Sequence, residues 1–194
     1  MHSWRALHSS RLRPSGVVTS AFLDIAKTDL RSSAQFVCDL PYGRNSRSDE
    51  PLIVLTEHRG TCSTKHALIR RLAIEQGFNL SLILGLYEMT DRNTPGVGPV
   101  LRQYGLTGLI EAHCYLRSGG KRVDITRALA HRRSEPITHF LHEEEIDPSQ
   151  VGHYKTGIHK KFLEKWVSDS GGLGGLSLAD AWKIREECIA SLSH

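Results

Sequence analysis

Three residues of the chain carry the side chains that thiol chemistry requires, and they follow one another as Cys62, His113 and Asp124. A thiolate attacks, an imidazole moves the proton, and a carboxylate orients the ring and steadies its cationic form. Cys62 stands in "RGTCSTKHALIRRLAIEQG" (59–77), just behind a glycine and a threonine. The residues after it place Ala67, Leu68, Leu72 and Ala73 on one side of a helix and Lys65, Arg70 and Glu75 elsewhere, with Gly77 as a natural stop. A cysteine used only for packing belongs inside the apolar stripe. One at the helix entrance instead meets the N–H groups of the first turn and the positive end of the macrodipole, which favour the thiolate. The N–H of Cys62 is also a candidate donor to a developing oxyanion.

His113 and Asp124 lie in "TGLIEAHCYLRSGGKRVDIT" (107–126), which reads as two strands around a glycine turn. A turn at Ser118-Gly119 pairs Arg117 with Gly120 and sets His113 directly opposite Asp124. A turn at Gly119-Gly120 shifts the partner by two and makes the pair diagonal. Both registers put the two side chains on one face, with Cβ atoms roughly 4.5 to 8 Å apart, whereas a three-residue loop turns them to opposite faces. Ile110, Ala112, Cys114 and Leu116 then line the core-facing side.

These stretches together resemble the core of the transglutaminase-like superfamily of papain-fold enzymes. The likeness spans 59–126, roughly a third of the chain. It rests on a Gly-x-Cys at a helix start, the strand that follows, a histidine on one strand and an aspartate on the next. It implies an α+β, papain-like fold with the catalytic helix packed on an antiparallel sheet. It also implies Cys62 as nucleophile, His113 as base and Asp124 as orienting acid, with no cofactor. The sequence departs from the family pattern in three ways: an aromatic residue follows the histidine only as Tyr115 behind Cys114, Ile125 replaces a frequent proline, and the second oxyanion donor has no recognisable equivalent. The family includes amide hydrolases, peptide deglycosylases and protein crosslinkers, so the expected substrate is a peptide, a protein or a small amide. Hydrolysis through a Cys62 thioester is the first expectation. An arylamine-type or crosslinking acyltransferase is the alternative within enzymes, and a catalytically silent binding or scaffold module is the alternative outside them.

Other clusters have duller readings. Cys62 and His66 share i, i+4 spacing and with His113 and Cys114 evoke a zinc site, yet neighbouring strand residues such as His113 and Cys114 point to opposite faces. Cys38, Cys114 and Cys188 read as structural, Cys188 within the stripe of a last helix that Ser177 caps. "THFLHEEEIDP" (138–148) alternates like an exposed strand. "HYKTGIHKKFLEKW" (153–166) reads as a helix with Ile158, Phe162 and Trp166 inward and its lysines in water, ahead of a weaker nucleic-acid or acidic-partner reading. "GGLGGLS" (171–177) is a linker.

Composition sets the frame. At 194 residues with 39% apolar and 24% charged side chains, the chain is long enough for one globular domain. A net charge of +4 falls short of a dedicated nucleic-acid binder, and no apolar run reaches membrane-spanning length. Four cysteines are too few for a disulfide scaffold, which points to reduced thiols in a cytoplasmic compartment. Residues 1–16 read as a basic tail, disordered or of transit-peptide composition, and 17–194 as a single domain. "VVTSAFLDIAKTDL" (17–30) reads as one packing helix, "NLSLILGLYEM" (79–89) as a strand buried on both faces, and 90–105 as a long loop.

Overall fold

The nearly continuous apolar run after Gly77 becomes β1 (Ser81–Met89), buried along nearly its whole length as such a run requires. A computed structural model describes residues 4–127, 135–169 and 175–192. Before β1 come α1 (Val17–Asp24), α2 (Leu30–Asp39), α3 (Ile53–Thr56) and α4 (Cys62–Gln76). After it follow α5 (Gly98–Gln103), β2 (Leu109–Ser118), β3 (Lys121–Val123), β4 (His142–Glu145), α6 (His153–Asp169) and α7 (Leu178–Ala190). The strands form one antiparallel sheet in the order β3-β2-β1-β4, so the class is α+β. Among the described residues no helix is long and apolar enough to cross a membrane.

The chain divides into two compact units. Of the described residues, the first takes 4–84, 114–127 and 144–152, and the second takes 85–113, 135–143, 153–169 and 175–192.

In the first unit α4 is central. α1, α2, α3 and a 3-10 turn at Pro148–Val151 pack around it. Every residue from Cys62 to Ile69 is buried, so its first two turns are enclosed rather than amphipathic. Lys65, expected on the polar side, is wholly buried. The helix ends in paired bonds from Gly77 N–H to the Ile74 carbonyl and from Phe78 N–H to the Ala73 carbonyl, the pattern of a helix closed by glycine.

The stretch 17–30 is two helices, not one. Ala26 adopts a left-handed φ of 58°, and Asp29 restarts the chain by accepting the Ser32 N–H at 2.9 Å. Ile25 is exposed at that corner. Residues 4–16, whose composition reads as a tail, fold against these helices: Leu7 and Leu12 are buried, Leu12 N–H donates to the Thr28 carbonyl, and Arg31 Nε donates to the Leu7 carbonyl at 2.8 Å. Spaced leucines among the arginines anchor the segment.

The hairpin takes the second of the two registers. Leu116 pairs with Val123, Arg117 with Arg122 and Ser118 with Lys121. Gly119 and Gly120 form the turn with φ of 52° and 75°, the left-handed pair that a two-residue hairpin of this twist demands.

In the second unit the loop between β1 and β2 is ordered by its own side chains. Asp91 accepts the N–H groups of Gly96 and Gly98, and α5 follows where the composition reads as loop. The inward face of α6 differs from expectation: Lys155, His159 and Leu163 are its buried residues, while Ile158, Phe162 and Trp166 are half-covered. The reason is a charged partner on β2, described below. Ser177 caps α7 by accepting the Asp180 N–H, and Ala181, Ile184, Cys188 and Ile189 face inward. β4 alternates half-buried and exposed residues, as its sequence pattern anticipates. Most of the glycine-rich linker, 171–174, lies outside the described residues.

Candidate functional site

Cys62 is the first residue of α4, preceded by Thr61 at the N-cap in extended backbone. The Thr61 N–H donates to Thr64 Oγ1 at 3.0 Å, and the Thr64 hydroxyl donates onward to Asn45 Oδ1 at 2.7 Å. Asn45 Nδ2 donates to Glu57 Oε2 and to the Arg59 carbonyl. A chain of side chains thus ties the loop after α2 to the start of the helix. Glu57 closes the chain. Hydrogen bonds from the Ser46 hydroxyl and N–H, then from Asn45 and Arg59, hold its carboxyl down at about 2.

Gly60, two residues before the thiol, has a steric reason. Tyr42 and Gly60 form a parallel bridge, and a Cβ at Gly60 would stand 2.9 Å from Lys65 Cγ and 3.0 Å from Thr64 Oγ1. The Gly-x-Cys spacing therefore reflects the close approach of the incoming chain to the first helical turn. Gly60→Ala is expected to destabilise the fold by about 1–3 kcal/mol through overpacking, read as a lower denaturant midpoint with an unchanged slope.

The same helix grips the segment that carries Asp124. His66 Nδ1 lies 2.6 Å from the Cys62 carbonyl, and the Ile125 N–H donates to His66 Nε2 at 2.9 Å. Because Nε2 accepts, the proton sits on Nδ1 and is donated to the carbonyl, so the ring is neutral. Asp124 Oδ1 stands 3.6 Å from Nε2. With a neutral ring this is proximity, not an ion pair. Asp124 Oδ1 instead accepts the Thr126 N–H at 2.8 Å. Lys65 completes the grip, its Nζ donating to the Leu40 carbonyl at 2.6 Å, the Thr126 carbonyl at 3.0 Å and the Cys38 carbonyl at 3.4 Å.

His113 lies on β2, buried, with its ring edge-on to Tyr87 at 6.3 Å between centroids. Cys62 and Asp124 belong to the first unit and His113 to the second. Two residues before His113, and so on the same face of the strand, Glu111 makes a two-pronged pair with Arg185 of α7, both bonds 2.7 Å long. Burial opposes the Glu111 charge, but Arg185, His159 and Lys155 outweigh it and hold the carboxyl at about 2. Burial pushes His159 toward its neutral form, and its Nε2 donates to the Ile110 carbonyl at 2.8 Å. α6 and α7 are thus anchored to β2 through polar groups. This is why Lys155 and His159, rather than the apolar residues beside them, face inward.

No family model, no curated protein and no solved structure matches the chain. The site is read from its own chemistry. Among the described residues no group of three or more histidine, cysteine, aspartate or glutamate side chains is placed to hold a metal ion. In the four residues that evoke zinc by spacing, His66 already uses both ring nitrogens on backbone groups. None of the four cysteines is joined in a disulfide. Cys62 is 8% exposed, against 2% for Cys38 and 0% for Cys114 and Cys188. Burial, reinforced by Glu111 and Glu187, pushes the Cys188 thiol up to about 11.

Sequence reasoning missed Lys65 and His66 as anchors and missed the Glu111 cluster. A signal existed for each. Lys65-His66 is a polar pair between the thiol and the first apolar turn, and Glu111 repeats the strand period of His113.

Proposed function

We propose that the chain is a thiol-dependent acyl-transfer enzyme of transglutaminase-like, papain-fold type, acting on an amide or peptide bond. The observation that supports this reading most is the placement of Cys62 at the first residue of a buried central helix whose next turn holds the Asp124 segment through His66. A nucleophile at that position gains the field of the helix end.

In the proposed cycle His113 takes the Cys62 proton as sulphur attacks the carbonyl carbon. The tetrahedral oxyanion collapses, the carbon–nitrogen bond breaks, and His113 returns the proton to the leaving amine. Water, deprotonated by the same imidazole, then opens the thioester, releasing the acid and restoring the thiol. An amine in place of water gives transfer. Asp124 orients the imidazole and stabilises its cation.

Iodoacetamide tests the reading. One equivalent is expected to label Cys62 alone below pH 8, the most accessible thiol being the reactive one, with labelling lost in His113→Ala. Equally slow labelling of all four cysteines, indifferent to His113, would point to the catalytically silent module of the same fold.

A further inference from the structure

Lys65 has no part in the proposed cycle, yet it is wholly buried one turn from Cys62, with an ammonium that meets three backbone carbonyls. Two of those carbonyls, of Cys38 and Leu40, belong to the C-terminal end of α2, where partial negative charge gathers. The third, of Thr126, belongs to the segment that follows β3. Three donors meet three acceptors, so the hydrogen-bonding capacity of the ammonium is filled by carbonyls. A buried apolar side chain of similar length would cost the fold less than a buried charge, so packing alone does not explain a lysine here. Three carbonyls fixed to one point do explain it. His66 holds the neighbouring Ile125 N–H at the same time, so donor and acceptor sides of one peptide segment are gripped by successive residues of α4.

We infer that Lys65 is a positioning residue: its ammonium fastens the backbone at Thr126, and through it Asp124, to the helix that carries Cys62. The consequence for chemistry rests on the acyl-transfer reading above; the clamp itself does not. Burial lowers the Lys65 pKa, opposed by Cys38, Asp124 and Asp39 and assisted by Arg127, to about 8. These groups face it from α2 and from the segment after β3, and neutral His66 adjoins it on α4. The clamp therefore loosens on the alkaline side of neutrality, when the third donor and the charge are lost.

Amide exchange on the full chain, read by mass spectrometry, tests this. In Lys65→Met the Ile125 and Thr126 amides are expected to exchange at least about tenfold faster, while protection in β1 and β2 is retained. Unchanged protection at 125–126 in a folded Lys65→Met overturns the inference. A wild-type pH series is the second measurement, needed should the variant not fold: protection at 125–126 should drop as pH passes about 8, with the rest of the chain flat. The sign separates this from unfolding. A lysine whose folded pKa lies below its unfolded value binds fewer protons when folded, so above about 8 its titration raises global stability while the local clamp weakens. A flat profile at 125–126 overturns the inference as well. Cys62 labelling divides the two readings. If Asp124→Asn slows it and Lys65→Met does not, Lys65 is no positioning residue for the site. If labelling ignores His113 and Asp124 alike, the acyl-transfer reading falls and exchange alone decides the clamp.

Discussion

Arg185→Met is expected to destabilise the protein by about 3–5 kcal/mol, because it leaves the Glu111 carboxylate buried without its guanidinium partner. In a protein of this size that corresponds to a fall in Tm of roughly 6–20 °C. The pair is nearly enclosed, with side chains 12% and 6% exposed, so solvent does not screen the loss. Double replacement, Arg185→Met with Glu111→Leu, should recover most of the stability, since two apolar side chains carry no desolvation penalty. The pH dependence follows from the direction of the Glu111 shift. Its folded pKa, about 2, lies below the ordinary 4.5, so the stability it contributes is present above 4.5 and lost as pH falls toward 2. In Arg185→Met burial acts with less opposition and favours the protonated acid, so acidification should narrow the gap between variant and wild type. Thermal melts from pH 3 to 7 check both claims. A variant as stable as wild type at pH 7 would show that the pair contributes nothing net.

The second large effect concerns chemistry. With p-nitrophenyl acetate as acyl donor, the wild-type chain should release a burst of p-nitrophenolate equal to the protein concentration and carry one acetyl group on Cys62. His113→Ala should slow that acylation by about 10²–10⁴, the usual contribution of a positioned acid–base group, with little change in the concentration dependence. Asp124→Asn should slow it less, since in the proposed cycle the carboxylate orients the base and does not move the proton. Acylation of Cys62 at equal rates in wild type and His113→Ala would remove the histidine from the cycle.

The coarse class, the helix behind Cys62, the strand β1 and the glycine hairpin were legible because each has a local cause. A nearly continuous apolar run, a helix ending at Gly77 and two adjacent glycines permit few conformations. The hairpin register was legible to within two residues: turn length fixes which face a side chain takes, but not which of two glycine pairs makes the turn. What was not legible came from tertiary partners. Ala26 breaks a helix whose periodicity continues through it, because Asp29 offers a new cap. Lys65 and His159 look solvent-facing until the carbonyls of α2 and β2 that they satisfy are known. Pattern reasoning assigns charged residues to water, and buried polar anchors are where that rule fails.

The sheet order leaves β3 and β4 as its two outer strands, three and four residues long. One carries Lys121 and Arg122, the other Glu143, Glu144 and Glu145. Margins so brief and so charged give a foreign polypeptide little backbone to zip onto. Self-association by strand exchange is disfavoured for the same reason, and on the acyl-transfer reading a peptide substrate would be recognised by side chains and loops rather than by lengthening the sheet.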